Sequence, residues 1–129
     1  MESKIIKNLI KIFFNKGCSK DDLLVAIGPS ISKKNYLIDN KTLQQFHEQI
    51  TEKESTTSSE VKRVLLKLKP ENSTPLDLKK YAHIQLLNEN IPNSNIEISN
   101  LCTYESNHDF YSWRRSKTPL RQWNFISPY

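Results

Sequence analysis

Leu101-Cys102-Thr103-Tyr104, a short polar gap, Phe110-Tyr111-Ser112-Trp113-Arg114-Arg115 and then Arg121-Gln122-Trp123 make up the most informative stretch of this chain. Loops rarely carry so many large rings, and core strands rarely tolerate adjacent guanidinium groups. The combination fits the wall of a pocket, with rings for packing and arginines for an anionic or carbonyl-rich partner.

Upstream, Ile96 and Ile98 alternate with Glu97, the pattern of a half-buried strand leading into Leu101. Before it, residues 76–88 read as a helix with Leu78, Tyr81, Ala82 and Gln85 on one face and Leu86 widening that face. Asn90 stands where a left-handed residue ends a helix, and Pro92 prevents continuation. Leu23 to Ile27 is an unbroken apolar run, expected as a strand buried on both faces. Gly28-Pro29 ends it, with the glycine expected to let the backbone turn or approach a ligand. Tyr36-Leu37-Ile38 reads as a short strand. Asp39 or Asn40 is placed to cap a helix over 41–50 that carries Leu43, Phe46, His47 and Ile50 on one face. Residues 51–60 are a polar loop expected to be mobile. Val61 to Leu68 fits a strand or a helix, and Pro70 and Pro75 bracket a further loop. At the start, Ile5, Leu9, Phe13 and Ile6, Ile10, Phe14 fall four apart, so residues 3–15 form an amphipathic helix ending near Gly17. Phe125 and Ile126 suit a last strand. The sum is an α/β (α+β) class: a mixed β-sheet with flanking helices.

Composition narrows the function. The length of 129 residues allows one domain. The net charge of +5 is mild, with acids and bases interleaved, so no basic run tracks a nucleic-acid backbone. Ile5 to Phe14 is too short and too often interrupted by lysine to span a bilayer, and packing as a helix is expected of it. Cys18 and Cys102 neither form a metal-site spacing nor make a disulfide framework, which fits a reducing cytoplasm.

Leu101-Cys-Thr-Tyr104 followed by Phe110-x-Ser-x-Arg-Arg115 resembles the C-terminal motif of the laccase-domain family. So do Leu23-Leu-Val-Ala-Ile-Gly-Pro-Ser-Ile31 with Tyr36, Leu76-Asp77-Leu78, and Ile96-Glu-Ile-Ser99, in the same order. That family carries the name multicopper polyphenol oxidase. The resemblance implies a zinc-dependent purine nucleoside phosphorylase acting on adenosine, inosine or methylthioadenosine, with adenosine deaminase side activity. The family's metal motifs are Gln-Val-His-Gly, Ala-Asp-Cys and His-Ala-Gly-Trp-Arg-Gly, all preceding the Ile-Gly-Pro-Ser-Ile segment. None occurs here, so residues 1–129 look like the C-terminal part of the family domain. The zinc ligands are then expected from an absent N-terminal half, and no metal or cofactor from this chain alone. A remnant, a homo-oligomer or a half completed by another chain is the alternative to an enzyme. A multicopper laccase is excluded by the scarcity of histidine: three scattered residues cannot build its sites.

Within the resemblance, Tyr104, Ser112, Arg114 and Arg115 are the candidates for contacting substrate, and none is assigned a catalytic step. On a strand the two arginines would point to opposite faces. Each either clamps a phosphate, ribose or base carbonyl, or pairs with a carboxylate or stacks on Trp113 or Trp123. Ser112 has no visible base beside it and is no nucleophile. Cys102 is read as a structural thiol, because the family's metal cysteine sits in another motif. His47, His83 and His108 lack ligand spacing. Gly28-Pro29-Ser30 lacks the glycine density and lysine of a phosphate loop. Two departures from the family pattern stand out: Lys33-Lys34-Asn35 where small residues or cysteines are usual, and Glu105 where a second cysteine is common.

Overall fold

The computed structural model describes residues 4–39, 41–45 and 73–127. The expected mobile loop at 51–60, the ambiguous segment 61–68 and the outer part of the 41–50 helix lie outside them.

The first helix, α1, spans Ile5–Asn15. Gly17, at φ +88°, reverses the chain after it. The Gly17 amide donates to the Phe14 carbonyl and the Cys18 amide to the Phe13 carbonyl, which satisfies the last carbonyls of the helix. Strand β1 (Val25–Ile27) follows, then β2 (Leu37–Ile38) and a helical segment over 41–45 that Asp39 caps through Thr42 N–H at 2.7 Å. The capping hydrogen bond holds the Asp39 carboxyl below its ordinary pKa. Strand β3 is Thr74–Pro75, and helix α2 is Leu78–Asn88, capped by Asp77 through Lys80 N–H at 3.0 Å. Asn90 takes the left-handed conformation after α2, at φ 62°. Strand β4 (Ile96–Ile98) and a short helix α3 (Trp113–Ser116) complete the order.

Strands β1 and β4 pair in parallel, with Val25 opposite Ile96 and Ile27 opposite Ile98. The pairing is carried on by a bridge between Ser30 and Cys102. Strands β2 and β3 pair antiparallel. One pair parallel and one antiparallel, with helices alongside, is the mixed α/β architecture expected.

Helix α2 serves two small cores. Tyr81 and Ile84 pack with Ile38 and Leu76 beside β2 and β3. Burial there pushes the Tyr81 phenol up to about 12. One helical step round, Leu86 packs with Ile10 of α1 and Ile91, against Val25, Ile27 and Ile96. Ile84, absent from the apolar face read from the sequence, is buried because it lies three residues from Tyr81.

Five expectations need correcting. Strand β1 is covered on one face only: Leu24 is 81% exposed and Ala26 is exposed too. Helix α1 packs through Ile10 and Ile6, while Ile5, Leu9 and Ile12 stay exposed. Pro75 lies in a strand rather than a loop, in a two-stranded sheet where a missing N–H is tolerated. Gly28 has neither a positive φ nor any atom within 4 Å of where a Cβ would stand, so neither turn nor close approach requires a glycine. Phe125 and Ile126, 89% and 91% exposed, form no strand, and no strand among the described residues lies beside them.

Candidate functional site

Beyond β4 the chain closes into a loop held by its own backbone. Thr103 N–H donates to the Ser30 carbonyl (3.2 Å), Ser106 N–H to Cys102 (3.0 Å) and Phe110 N–H to Ser106 (3.2 Å). From outside the loop, Lys79 Nζ donates to the carbonyls of Ser99 (2.7 Å) and Leu101 (3.0 Å), tying α2 to the end of β4.

Arg115 binds the loop from within. Its Nη1 donates to the carbonyls of Thr103 and Tyr104, both at 2.8 Å, and its Nη2 to that of Phe110 at 2.6 Å. A guanidinium carries five donors in a rigid fork, so one side chain can gather several carbonyls and keep donors to spare. The same side chain lines a cavity of about 430 Å³ with His108, Asp109, Tyr111 and Thr118 among its walls.

The two arginines stand on a helix, α3, and not on the strand considered from the sequence, where they would have pointed to opposite faces. Adjacent helical residues diverge by about 100°. Arg114 therefore turns away from the loop, with its guanidinium carbon 5.1 Å from the centre of the Tyr36 ring. Ser112 is buried at the head of α3, where its carbonyl accepts from the amides of Arg115 and Ser116, both at 3.1 Å. Trp113 is half exposed and stacks beneath Lys117 and Arg121. Of the four candidates, only Arg115 lines the cavity; Tyr104 lends its carbonyl to the Arg115 guanidinium, Ser112 sets the helix start, and Arg114 faces Tyr36.

The two departures from the family pattern touch each other, which the separate readings of them missed. Glu105 Oε1 accepts from Ser32 Oγ at 3.0 Å and from Asn35 Nδ2, and pairs with Lys34 Nζ at 3.1 Å. The hydrogen bond and charge of Lys34, with the Ser32 and Asn35 hydrogen bonds, hold the Glu105 carboxyl below its ordinary pKa. Their opposite charges suit the pairing, but the fold, through the Ser30–Cys102 bridge, is what brings them together.

Cys102 lies beneath this cluster, and its Sγ accepts from Ser32 N–H at 3.2 Å. Burial pushes the thiol up, but the hydrogen bonds from Ser32 and from the backbone of Glu105 and Tyr104 outweigh it, and the net shift is downward.

The described residues do not fit a zinc ion. His83 Nε2 is held by Asn93 Oδ1 at 2.8 Å, His108 is exposed in the turn, and Cys102 is enclosed by Ser32. Among the described residues no three His, Cys, Asp or Glu side chains stand together as ligands. Nor is any described helix long and apolar enough to cross a membrane.

Comparison with known proteins gives the family and the fold to which these elements belong. The family model described as multi-copper polyphenol oxidoreductase laccase matches residues 1–128. A purine nucleoside phosphorylase of Synechocystis is 26% identical over 137 residues, covering 99% of this chain and 52% of that protein. A purine nucleoside phosphorylase of Bacteroides thetaiotaomicron is 24% identical over 99 residues, covering 77% and 34%. Among solved structures, YlmD of Geobacillus stearothermophilus superposes with a TM-score of 0.70 at 26% identity, covering 88% of this chain and 39% of that one. The hypothetical protein YfiH of Bacillus licheniformis gives a TM-score of 0.71 at 26% identity, covering 88% and 40%. The chain thus spans about half the length of the first of these relatives and less of the others. With residues 1–128 matched by the family model and its fold shared by both solved structures, the chain belongs to the multi-copper polyphenol oxidoreductase laccase family.

Proposed function

We propose that this chain forms part of a cytoplasmic purine nucleoside phosphorylase and supplies one wall of its pocket. The observation that carries this is the likeness, over 99% of the chain, to a protein named purine nucleoside phosphorylase. The arginine-built loop adds a physical reason. In phosphorolysis a phosphate oxygen forms a bond to C1′ of the ribose while the C1′–N bond to the purine breaks. The base leaves with the bonding electrons and takes up a proton. A phosphate dianion must be held at that carbon, and guanidinium groups suit it.

In this proposal Arg115 holds the wall in shape and offers its remaining donors to the cavity. Arg114, exposed over Tyr36 and turned away from that cavity, is the more available cation for phosphate, and Tyr104 and Ser112 complete the proposed substrate contacts. Adenosine, inosine and methylthioadenosine are the proposed substrates, with adenosine deamination as a side reaction. Zinc chemistry, which would activate the nucleophile, belongs to ligands outside the described residues, and no step is assigned to it. The chain by itself is inactive in this account.

A second reading, a half-domain that has lost catalysis, is favoured by the lack of a zinc-ligand group among the described residues. One experiment separates the two. The chain alone and the assembly purified from its source cells are incubated with adenosine and inorganic phosphate, and free adenine and ribose 1-phosphate are measured. Product from the assembly only supports the proposal. Product from neither supports the lost-function reading, and product from the pure chain alone contradicts both.

A further inference from the structure

Helix α1 is apolar over too wide an arc for the core it serves. At about 100° per residue, Phe14, Ile10, Ile6, Phe13, Leu9, Ile5 and Ile12 sweep about 200° of its circumference. A surface helix needs an apolar stripe of about 100°. The Ile10–Ile6 side is spent on the core with Leu86 and Ile91, whereas Leu9, Ile5 and Ile12 are each more than half exposed. Strand β1 repeats the pattern. Val25 and Ile27 face the helices, and Leu24 and Ala26 face outward, uncovered.

The pairing of β1 with β4 is incomplete in a second sense. Parallel sheets occur with both faces covered. Here the parallel sheet has two strands, and each keeps an outer edge with no strand beside it among the described residues. Those edges need hydrogen-bonding backbone, which a lipid surface does not supply.

Charge disfavours a second copy of the chain. Lys4, Lys7, Lys11 and Lys16 line or flank α1, and no acid occurs between residues 3 and 20. Packing α1 on its own twin would crowd lysine on lysine, while an acidic rim would meet them favourably. Relatives of the same fold are about twice as long as this chain or longer, so the family fold contains further polypeptide around the part seen here.

We infer that the outer face of α1 and, on the far side of the sheet from it, the open face of β1 are both covered by the complementary part of the same family fold. That part presents an apolar centre, an acidic rim and a strand for the free sheet edge. The inference rests on the proposal that the chain is part of a larger enzyme.

The test uses the full tagged chain with p-benzoylphenylalanine placed singly at Leu9, at Leu24, or at exposed Lys80 on α2 as a control, photolysed in extract of its source cells. The expected result is adducts from positions 9 and 24, and not 80, with polypeptide that matches the same family outside the region covered here. Leu9→Asp should lower recovery of that polypeptide with the tagged chain at least about tenfold, with helix content unchanged by circular dichroism. Adducts to a second copy of the chain, to lipid, to nothing, or equally from position 80 would each overturn the inference. Phosphorolysis is scored in parallel. An active assembly without the adducts overturns this surface alone, and an inactive one with them overturns the nucleoside proposal alone.

Discussion

The loop after β4 and the face around α1 are built on opposite terms. The loop closes on itself with polar bonds: one guanidinium gathers three carbonyls, and Glu105 gathers Ser32, Asn35 and Lys34. The outer face of α1 and, across the sheet, the outward face of β1 are apolar and left open, with Leu9 51% and Leu24 81% exposed. A region satisfied internally keeps its shape without a partner, whereas exposed contiguous apolar surface marks a place where something binds. The difference teaches that the loop is held together by this chain's own polar bonds, while the apolar faces of α1 and β1 are left uncovered among the described residues.

The comparison breaks first at Arg115. Arg115→Ala strands three carbonyls and should cost about 3 kcal/mol in urea unfolding, since hydrogen bonds from charged groups are the strong ones. Arg114→Ala, which removes an exposed contact with the Tyr36 ring, should cost about 0.5 kcal/mol. Equal costs would mean that the loop is not held as described. On the open side, Ile10→Ala should cost about 2.5 kcal/mol as a buried truncation. Its neighbour Leu9→Ala should stay within about 0.5 kcal/mol in the isolated chain. A large loss at Leu9 would show that the face is already covered.

Helix α2 joins the two regions, so weakening it sharpens the contrast. Asp77→Ala removes the cap bond to Lys80 and should cost about 1 kcal/mol, read from the thermal midpoint.

The smallest effect is at Glu105. Its carboxyl is held below its ordinary pKa in the folded chain, so its stabilising contribution is full above the unfolded value of about 4.3. That contribution is lost as the pH falls through the lower folded value. Glu105→Gln should therefore be slightly less stable than the parent at neutral pH and equal to it in acid, with the gap shrinking in salt. A gap that widened in acid would contradict the pairing.

Much of this was legible in the sequence, because local chemistry decided it. The Gly17 and Asn90 helix ends, the Asp39 cap and the Ile96–Ile98 strand each follow from residues a few positions apart, whereas the helix read from residue 76 begins at Leu78, with Asp77 as its cap. The errors arose where a pattern had to be read without its surroundings. The run from Leu23 to Ile27 is written for burial on both faces, and so it misled about a chain that covers one. The arc of α1 misled in the same way. Those two misreadings coincide with the proposed docking faces, where sequence and exposure disagree. At the candidate site, the aromatic and arginine run was visible but its geometry was not. A four-residue helix has too few positions for periodicity to declare it, and Arg115's three carbonyl partners are set by loop closure, not by side-chain pattern. The meeting of Lys34 with Glu105 lay 71 residues apart in the chain and needed the Ser30–Cys102 bridge to bring it about.

The most direct test of the account is amide hydrogen exchange, followed peptide by peptide in the isolated chain and in the assembly from its source cells. The account predicts that Thr103, Ser106 and Phe110 are protected equally in both, while the amides of α1 and β1 gain on the order of tenfold or more protection in the assembly. Unchanged exchange across α1 and β1, with new protection elsewhere or nowhere, would contradict it.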